Sequence, residues 1–113
     1  MSSKETNLKL QQAIFLSTGP DTTKQYLEVL KYCKKLNLPI VNVFIEQSDD
    51  EQKLYKVMND TVEFADRQKV PTAIVIANKD VLPNFIKFQD IPSLIIHDHT
   101  ELHIVEAQAI FSR

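Results

Sequence analysis

Hydrophobic and polar positions alternate in blocks along this chain, and the period changes from block to block. Ala13-Ile14-Phe15-Leu16 is a continuous apolar run that ends at Ser17-Thr18-Gly19-Pro20. It has the length and character of a buried strand with a turn behind it. From Thr23 to Leu36 the pattern changes: Tyr26, Leu27, Leu30, Cys33 and Leu36 recur at helical spacing, with lysines on the opposite side, and Asp21 or Thr22 can cap. Pro39 restarts the chain, and Ile40-Val41-Asn42-Val43-Phe44-Ile45 reads as a second strand. After the polar loop Gln47-Ser48-Asp49-Asp50, the residues Leu54, Val57, Met58, Thr61, Val62 and Ala65 lay one apolar stripe along a helix reaching about Lys69. Pro71 ends it. Thr72-Ala73-Ile74-Val75-Ile76-Ala77 is apolar throughout, as a central parallel strand is.

The remaining segments carry weaker patterns. Val81 to Phe88 is interrupted by Pro83 and allows one or two helical turns. Pro92-Ser93-Leu94-Ile95-Ile96 reads as a fourth strand, His97-Asp98-His99-Thr100 as a loop, and Glu101 to Phe111 as a C-terminal helix. The apolar residues of that last segment cover more than one helical face, leaving part of it for a dimer contact. The order β-α-β-α-β-(short α)-β-α predicts a three-layer α/β/α domain. Its sheet would be mostly parallel, with four strands or slightly more. Residues 1–10 are expected to be a flexible polar lead, and residues 11–113 a single domain.

Composition narrows the function classes. Net charge is −2, and of thirteen basic residues only Arg67 and Arg113 are arginine. Tight nucleic-acid binding therefore has no electrostatic basis in the composition, and bidentate phosphate recognition has few groups to perform it. No apolar run is long enough to span a bilayer. Met1 to Gln12 lacks the apolar core of a signal peptide, and the single cysteine, Cys33, excludes an internal disulfide. A cytoplasmic setting is the expectation.

Candidate chemistry begins with Ser17, delivered to the C-terminal end of the first strand, where an open α/β sheet presents its ligands. With one glycine, Gly19, the chain has no phosphate-cradling loop of the P-loop or dinucleotide type. His97, His99 and His103 offer ligand types that zinc accepts, although a polar loop is the commoner meaning of such a cluster. Glu46, Asp49, Asp50 and Glu51 read as a solvated loop and helix cap rather than a magnesium site. Cys33 falls on an apolar helical face and reads as core. No cofactor is expected.

From about Ala13 to Leu102 the chain resembles the catalytic domain of the serine recombinases, the resolvase/invertase family. Ser17-Thr18 falls on the family's Ser-Thr pair. Gln25, Leu27 and Leu30 follow the rhythm of its first helix, and Val43-Phe44-Ile45-Glu46 is similar to its second strand. Ile74 to Leu82 resembles its third strand and the Leu-Asp-Arg-Leu signature, with Asp80 and Leu82 matching. Ile91 to Asp98 resembles the next strand. At the family's arginine positions this chain has Phe15, Gln52 or a neighbour, Val81 and Asn84. The resemblance implies a resolvase-like fold linked to site-specific DNA recombination. It also implies a dimer or a recombinase-like protein partner, with Ser17 as nucleophile and Asp80 beside it if the domain is active.

A serine hydroxyl needs activation, and a transferring phosphoryl group needs positive charge around it. Lys79 could supply one such charge, and Lys24 and Lys53 could approach. Losing one stabilising group costs ~10²–10³ in rate, and here several guanidinium groups are replaced. The expected function is therefore a catalytically impaired or inactive resolvase-like domain acting as a protein-interaction or regulatory module. The alternative is an active recombinase domain using Ser17 on DNA phosphodiesters. A third possibility, an unrelated receiver-like or flavodoxin-like module, would want acids after the first strand, and Ala13 to Gly19 has none.

Overall fold

The computed structural model describes residues 9–84, 86 and 98–112. Five strands form one sheet: β1 (Gln12–Thr18), β2 (Ile40–Glu46), β3 (Thr72–Ile76), β4 (Thr100–Ile104) and β5 (Ala109–Ser112). Their order is β2-β1-β3-β4-β5. The first four run parallel, and β5 is antiparallel to β4. Two helices, α1 (Thr22–Lys35) and α2 (Glu51–Asp66), join the parallel strands, and a 3-10 turn covers Lys79–Val81.

The pleat sorts the two cores. Ala13, Phe15, Ala73 and Val75 point to one face and pack with Val29 and Cys33 of α1. Ile14, Leu16, Ile74, Ile76, Leu102 and Ile104 point to the other and pack with Val57, Met58 and Ala65 of α2. With a helix on each side, the three-layer arrangement holds. β3 along its whole length and β1 from Ala13 to Thr18 are buried because both their faces are covered, whereas β2, at an edge, alternates between half-buried and exposed. Asp50 caps α2 by accepting from the Gln52 and Lys53 amides at 2.9 and 3.2 Å. Just past the Leu36 cap of α1, Asn37 takes the left-handed conformation at φ 57°, with Leu38 N–H returning to the Cys33 carbonyl at 2.9 Å.

The C-terminal region differs from expectation. The segment read as a helix, Glu101 to Phe111, is instead the β4–β5 hairpin. Leu102, Ile104, Ala109 and Phe111 all face α2, while Glu101, His103, Ile110 and Ser112 alternate with them. That is a period of two, and it explains why the apolar residues would not collect on one helical face. The turn carries no glycine; Gln108 takes the left-handed conformation at φ 53°. The dimer contact assigned to a C-terminal helix loses its basis. β3 pairs with β4 at Thr100–Ile104, and the strand expected at Pro92–Ile96 lies outside the described residues, as does the family-like strand from Ile91 up to His97.

Candidate functional site

The chain leaves β1 towards the α1 face and leaves β3 towards the α2 face, where Val81 and Leu82 join the α2 core. The C-terminal ends of β1 and β3 therefore flank a topological switch point, the usual position of a crevice in an open parallel sheet. Ser17, Thr18, Asn78, Lys79 and Asp80 lie at this edge. The starts of α1 and α2 lie there too, because each helix begins where a parallel strand ends.

Ser17 is fully buried. Its hydroxyl lies 3.5 Å from Thr22 Oγ1, a long contact, and Gln47 Nε2 donates to the same Thr22 oxygen at 3.2 Å. Neither Thr22 nor Gln47 is a base or a cation. Thr18 Oγ1 donates to the Val81 carbonyl and ties the end of β1 to the 3-10 turn. Gln25, buried on α1, donates to the Thr18 carbonyl at 2.8 Å, and its Oε1 lacks a hydrogen-bond partner among the described residues. Ser17 and Thr18 are thus held by hydroxyls, amides and carbonyls. Such a network orders the strand end but does not activate a nucleophile.

Phe15 shares the α1-facing side of β1 with Ser17. It is fully buried and meets Tyr26 edge to face, with ring centroids 5.5 Å apart. The position that carries an arginine in the resembling family is here part of the core. Arg67 caps the C-terminal end of α2 and pairs with Glu63 at 3.6 Å. Its neighbour Gln68 accepts from Gln12, the first residue of β1, at 2.9 Å. Arg67 thus stands at the opposite end of the strand, five residue steps or about 16 Å from Ser17. Arg113 lies outside the described residues.

Among the described residues, this edge carries Lys24, Lys53 and Lys79 against the carboxylates of Asp21, Glu46, Asp49, Asp50, Glu51, Asp80 and Glu106, the last beside Ala77 through its amide. Asp50 is spent on its cap, and Glu46 accepts from the Ser48 amide at 3.0 Å. Asp49 and Glu51 line a cavity of about 380 Å³ together with Leu54, Pro83 and Asn84. Asp80 sits exposed in the 3-10 turn, and its amide is held by Asn78 Oδ1 at 2.9 Å. An excess of carboxylates at this edge disfavours a polynucleotide phosphate there.

The two described histidines, His99 and His103, do not come together as a metal site would require. His97 lies outside the described residues. His99 and His103 would share a helical face, but on an extended chain four residue steps separate them by about 13 Å, beyond the reach of one ion. Both ring nitrogens of His103 already have protein partners. Tyr32 Oη hydrogen-bonds to Nδ1, and Glu101 Oε1 lies 2.8 Å from Nε2. Among the described residues no group of three or more His, Cys, Asp or Glu side chains could hold a metal. The Tyr32–His103–Glu101 chain, buried at His103 and half-buried at its two ends, joins α1 to β4 and was not legible beforehand, because a segment read as helix hides the period-two placement of Glu101 and His103 on one face. Burial holds the Tyr32 hydroxyl above its ordinary range, and the Cys33 and Glu101 charges add to this. Burial likewise pushes the Cys33 thiol up to about 11, in keeping with an inert core residue.

No helix among the described residues is long and apolar enough to cross a membrane. Comparison with known proteins gave no match to a family model, a curated protein or a solved structure.

Proposed function

We propose that this chain is a resolvase-like domain that has lost the chemistry of strand exchange and acts as a protein-interaction or regulatory module in a system of site-specific DNA recombination. The observation that carries this reading is the environment of Ser17. A buried hydroxyl with neutral partners sits behind a rim richer in carboxylates than in lysines. Phosphoryl transfer depends on positioned positive charge, and the described arginine lies at the other end of the strand. The Ser-Thr placement at the end of β1 and the mostly parallel sheet support the link to recombination, and the altered Ser17 surroundings support loss of activity.

The alternative, an active recombinase domain with Ser17 as nucleophile, draws support from Lys24 and Lys53, in the first turns of α1 and α2, and from Lys79, which begins the 3-10 turn. The two readings separate when the protein is incubated with supercoiled plasmid and denatured without proteolysis. The proposal expects no DNA-linked protein and no relaxation. A covalent adduct formed by the wild-type chain and abolished by Ser17→Ala would overturn it.

A further inference from the structure

The β1–β3 ladder ends at Phe15 and Val75, while β1 runs on against β2 as far as Thr18. The two strands therefore part at the C-terminal edge. Gly19 N–H bonds to the Glu46 carbonyl on the β2 side, so Thr18, one residue earlier, turns its carbonyl to the β3 side and into this gap. Gln25 is the fourth residue of α1, and helical side chains lean towards the helix N-terminus. Its carboxamide enters the gap from the α1 face and donates through Nε2 to the Thr18 carbonyl at 2.8 Å.

That bond settles which end of the amide is which. A carbonyl accepts from the nitrogen, so the atom left over is the oxygen. Gln25 is 6 % exposed, and its Oε1 has no hydrogen-bond partner among the described residues. Buried acceptors in folded proteins are paired, and one that is not marks a missing donor. Three exposed carboxylates stand around the same gap. Asp21 lies between β1 and α1, Asp80 follows β3, and Glu106 is held beside β3 by its amide, which bonds to the Ala77 carbonyl at 2.9 Å. None of the three makes an ion pair among the described residues. Lys24 and Lys79 offset part of this charge, and the edge as a whole keeps its excess of carboxylates.

We propose that this gap receives an arginine side chain of a partner protein, with its guanidinium donating to Gln25 Oε1 and lying among the Asp21, Asp80 and Glu106 carboxylates. The proposal rests on the protein-interaction reading above and names the chemistry of the partner.

The groups on offer are acceptors, and a guanidinium carries only donors, arranged in one plane. One edge of it bonds the amide oxygen while the remainder faces the carboxylates. Because the oxygen lies below the surface, the donor must arrive on a long stem. A lysine ammonium is also long-stemmed, but it is more strongly hydrated and loses more on leaving water. An anionic ligand is opposed by the rim. A metal ion is not accommodated, since no group of three or more His, Cys, Asp or Glu side chains among the described residues could hold one. Carboxylates spread around a gap suit an extended side chain better than a point charge. The described arginine of this chain, Arg67, stands at the other end of β1 and is paired with Glu63, so the side chain comes from another protein.

A ¹⁵N NMR titration of the full chain with capped glycine-flanked tripeptides of arginine, lysine and citrulline tests the proposal. The arginine peptide is expected to shift the Gln25 side-chain amide and the backbone signals of Thr18, Asn78 and Glu106. Binding should weaken by about threefold or more when salt rises from about 20 mM to about 200 mM. The lysine peptide should bind about threefold more weakly, and the citrulline peptide, which keeps the shape without the charge, about tenfold more weakly. Gln25→Met keeps the length, removes the acceptor and should erase the preference for arginine over lysine. Asp21→Asn with Asp80→Asn, both at exposed positions, should weaken both cationic peptides about threefold at unchanged melting temperature; this readout does not depend on the buried substitution. No shift at these signals up to about 20 mM peptide, equal binding of the citrulline peptide, or an arginine preference that survives Gln25→Met each overturns the proposal. So does spermidine binding as tightly as the arginine peptide, which makes the ligand a free polyamine, or a Gln25 amide that contacts a long-lived water and ignores the peptide. All of these leave the reading of Ser17 standing; only a Ser17-dependent DNA adduct removes that.

Discussion

Removing the Tyr32 hydroxyl should destabilise the protein by way of His103. The imidazole is 2 % exposed. In the neutral ring its two contacts allow one tautomer: Nδ1 accepts from Tyr32 Oη, and Nε2–H donates to Glu101 Oε1 at 2.8 Å. Tyr32→Phe keeps the edge-to-face ring contact, at 5.7 Å between centroids, and deletes only the hydroxyl. Nδ1 of the buried ring is then left without its protein partner. The cost of orphaning such an acceptor is about 1–3 kcal/mol. A domain of this size loses roughly 4 °C of melting temperature per kcal/mol, so Tm should fall by about 4–12 °C. Urea unfolding at constant m-value measures the loss, and ¹⁵N chemical shifts of the imidazole report the Nε2–H tautomer in the wild type. The cause is isolated by repeating the change in a His103→Leu background, where no acceptor remains to orphan and the same substitution should cost under about 0.5 kcal/mol. Equal losses in the two backgrounds, or a wild-type ring protonated on Nδ1 alone, would refute the reasoning.

Two further outcomes follow from a buried thiol and a helix cap. Burial holds the Cys33 thiol at about 11 against its ordinary 9.0, so the folded protein keeps a proton that the unfolded chain releases; stability should be intact below pH 9, fall between pH 9 and 11, and fall less steeply there in Cys33→Ala, as read by urea midpoints across that range. The Tyr32 hydroxyl, also raised, adds to the loss above pH 10. Asp50→Ala removes the two hydrogen bonds that its carboxylate accepts from the Gln52 and Lys53 amides at the start of α2 and should cost about 1 kcal/mol, with Asp50→Asn restoring most of it; an unchanged melting curve would show that the cap contributes nothing.

The first five elements were legible because each has a strong period and a clear stop. Gly19-Pro20, Pro39 and Pro71 bound them, and the observed limits fall within a few residues of the expected ones. The hairpin was not legible because its turn lacks glycine and asparagine. Leu102, Ile104, Val105, Ala109, Ile110 and Phe111 fit neither period cleanly until pairing with β3 assigns each a face. At the site, Ser17 and Thr18 were placed at the right edge, since a strand that ends before a helix must deliver its last residues there. Thr22, Gln25 and Gln47 surround them through contacts between separate elements, and no local pattern announces those.

Sequence alone therefore determined the alternation of strands and helices, the strand end that carries Ser17 and the scarcity of arginine. These are local or compositional properties. Only the tertiary structure decided that Phe15 is core, that Arg67 stands at the far end of β1, that carboxylates outnumber lysines around the serine and that β2 is left at an edge. Those facts depend on which strands become neighbours, and neighbours are chosen by burying both faces of the sheet at once, a condition that acts on the whole chain and on no single segment.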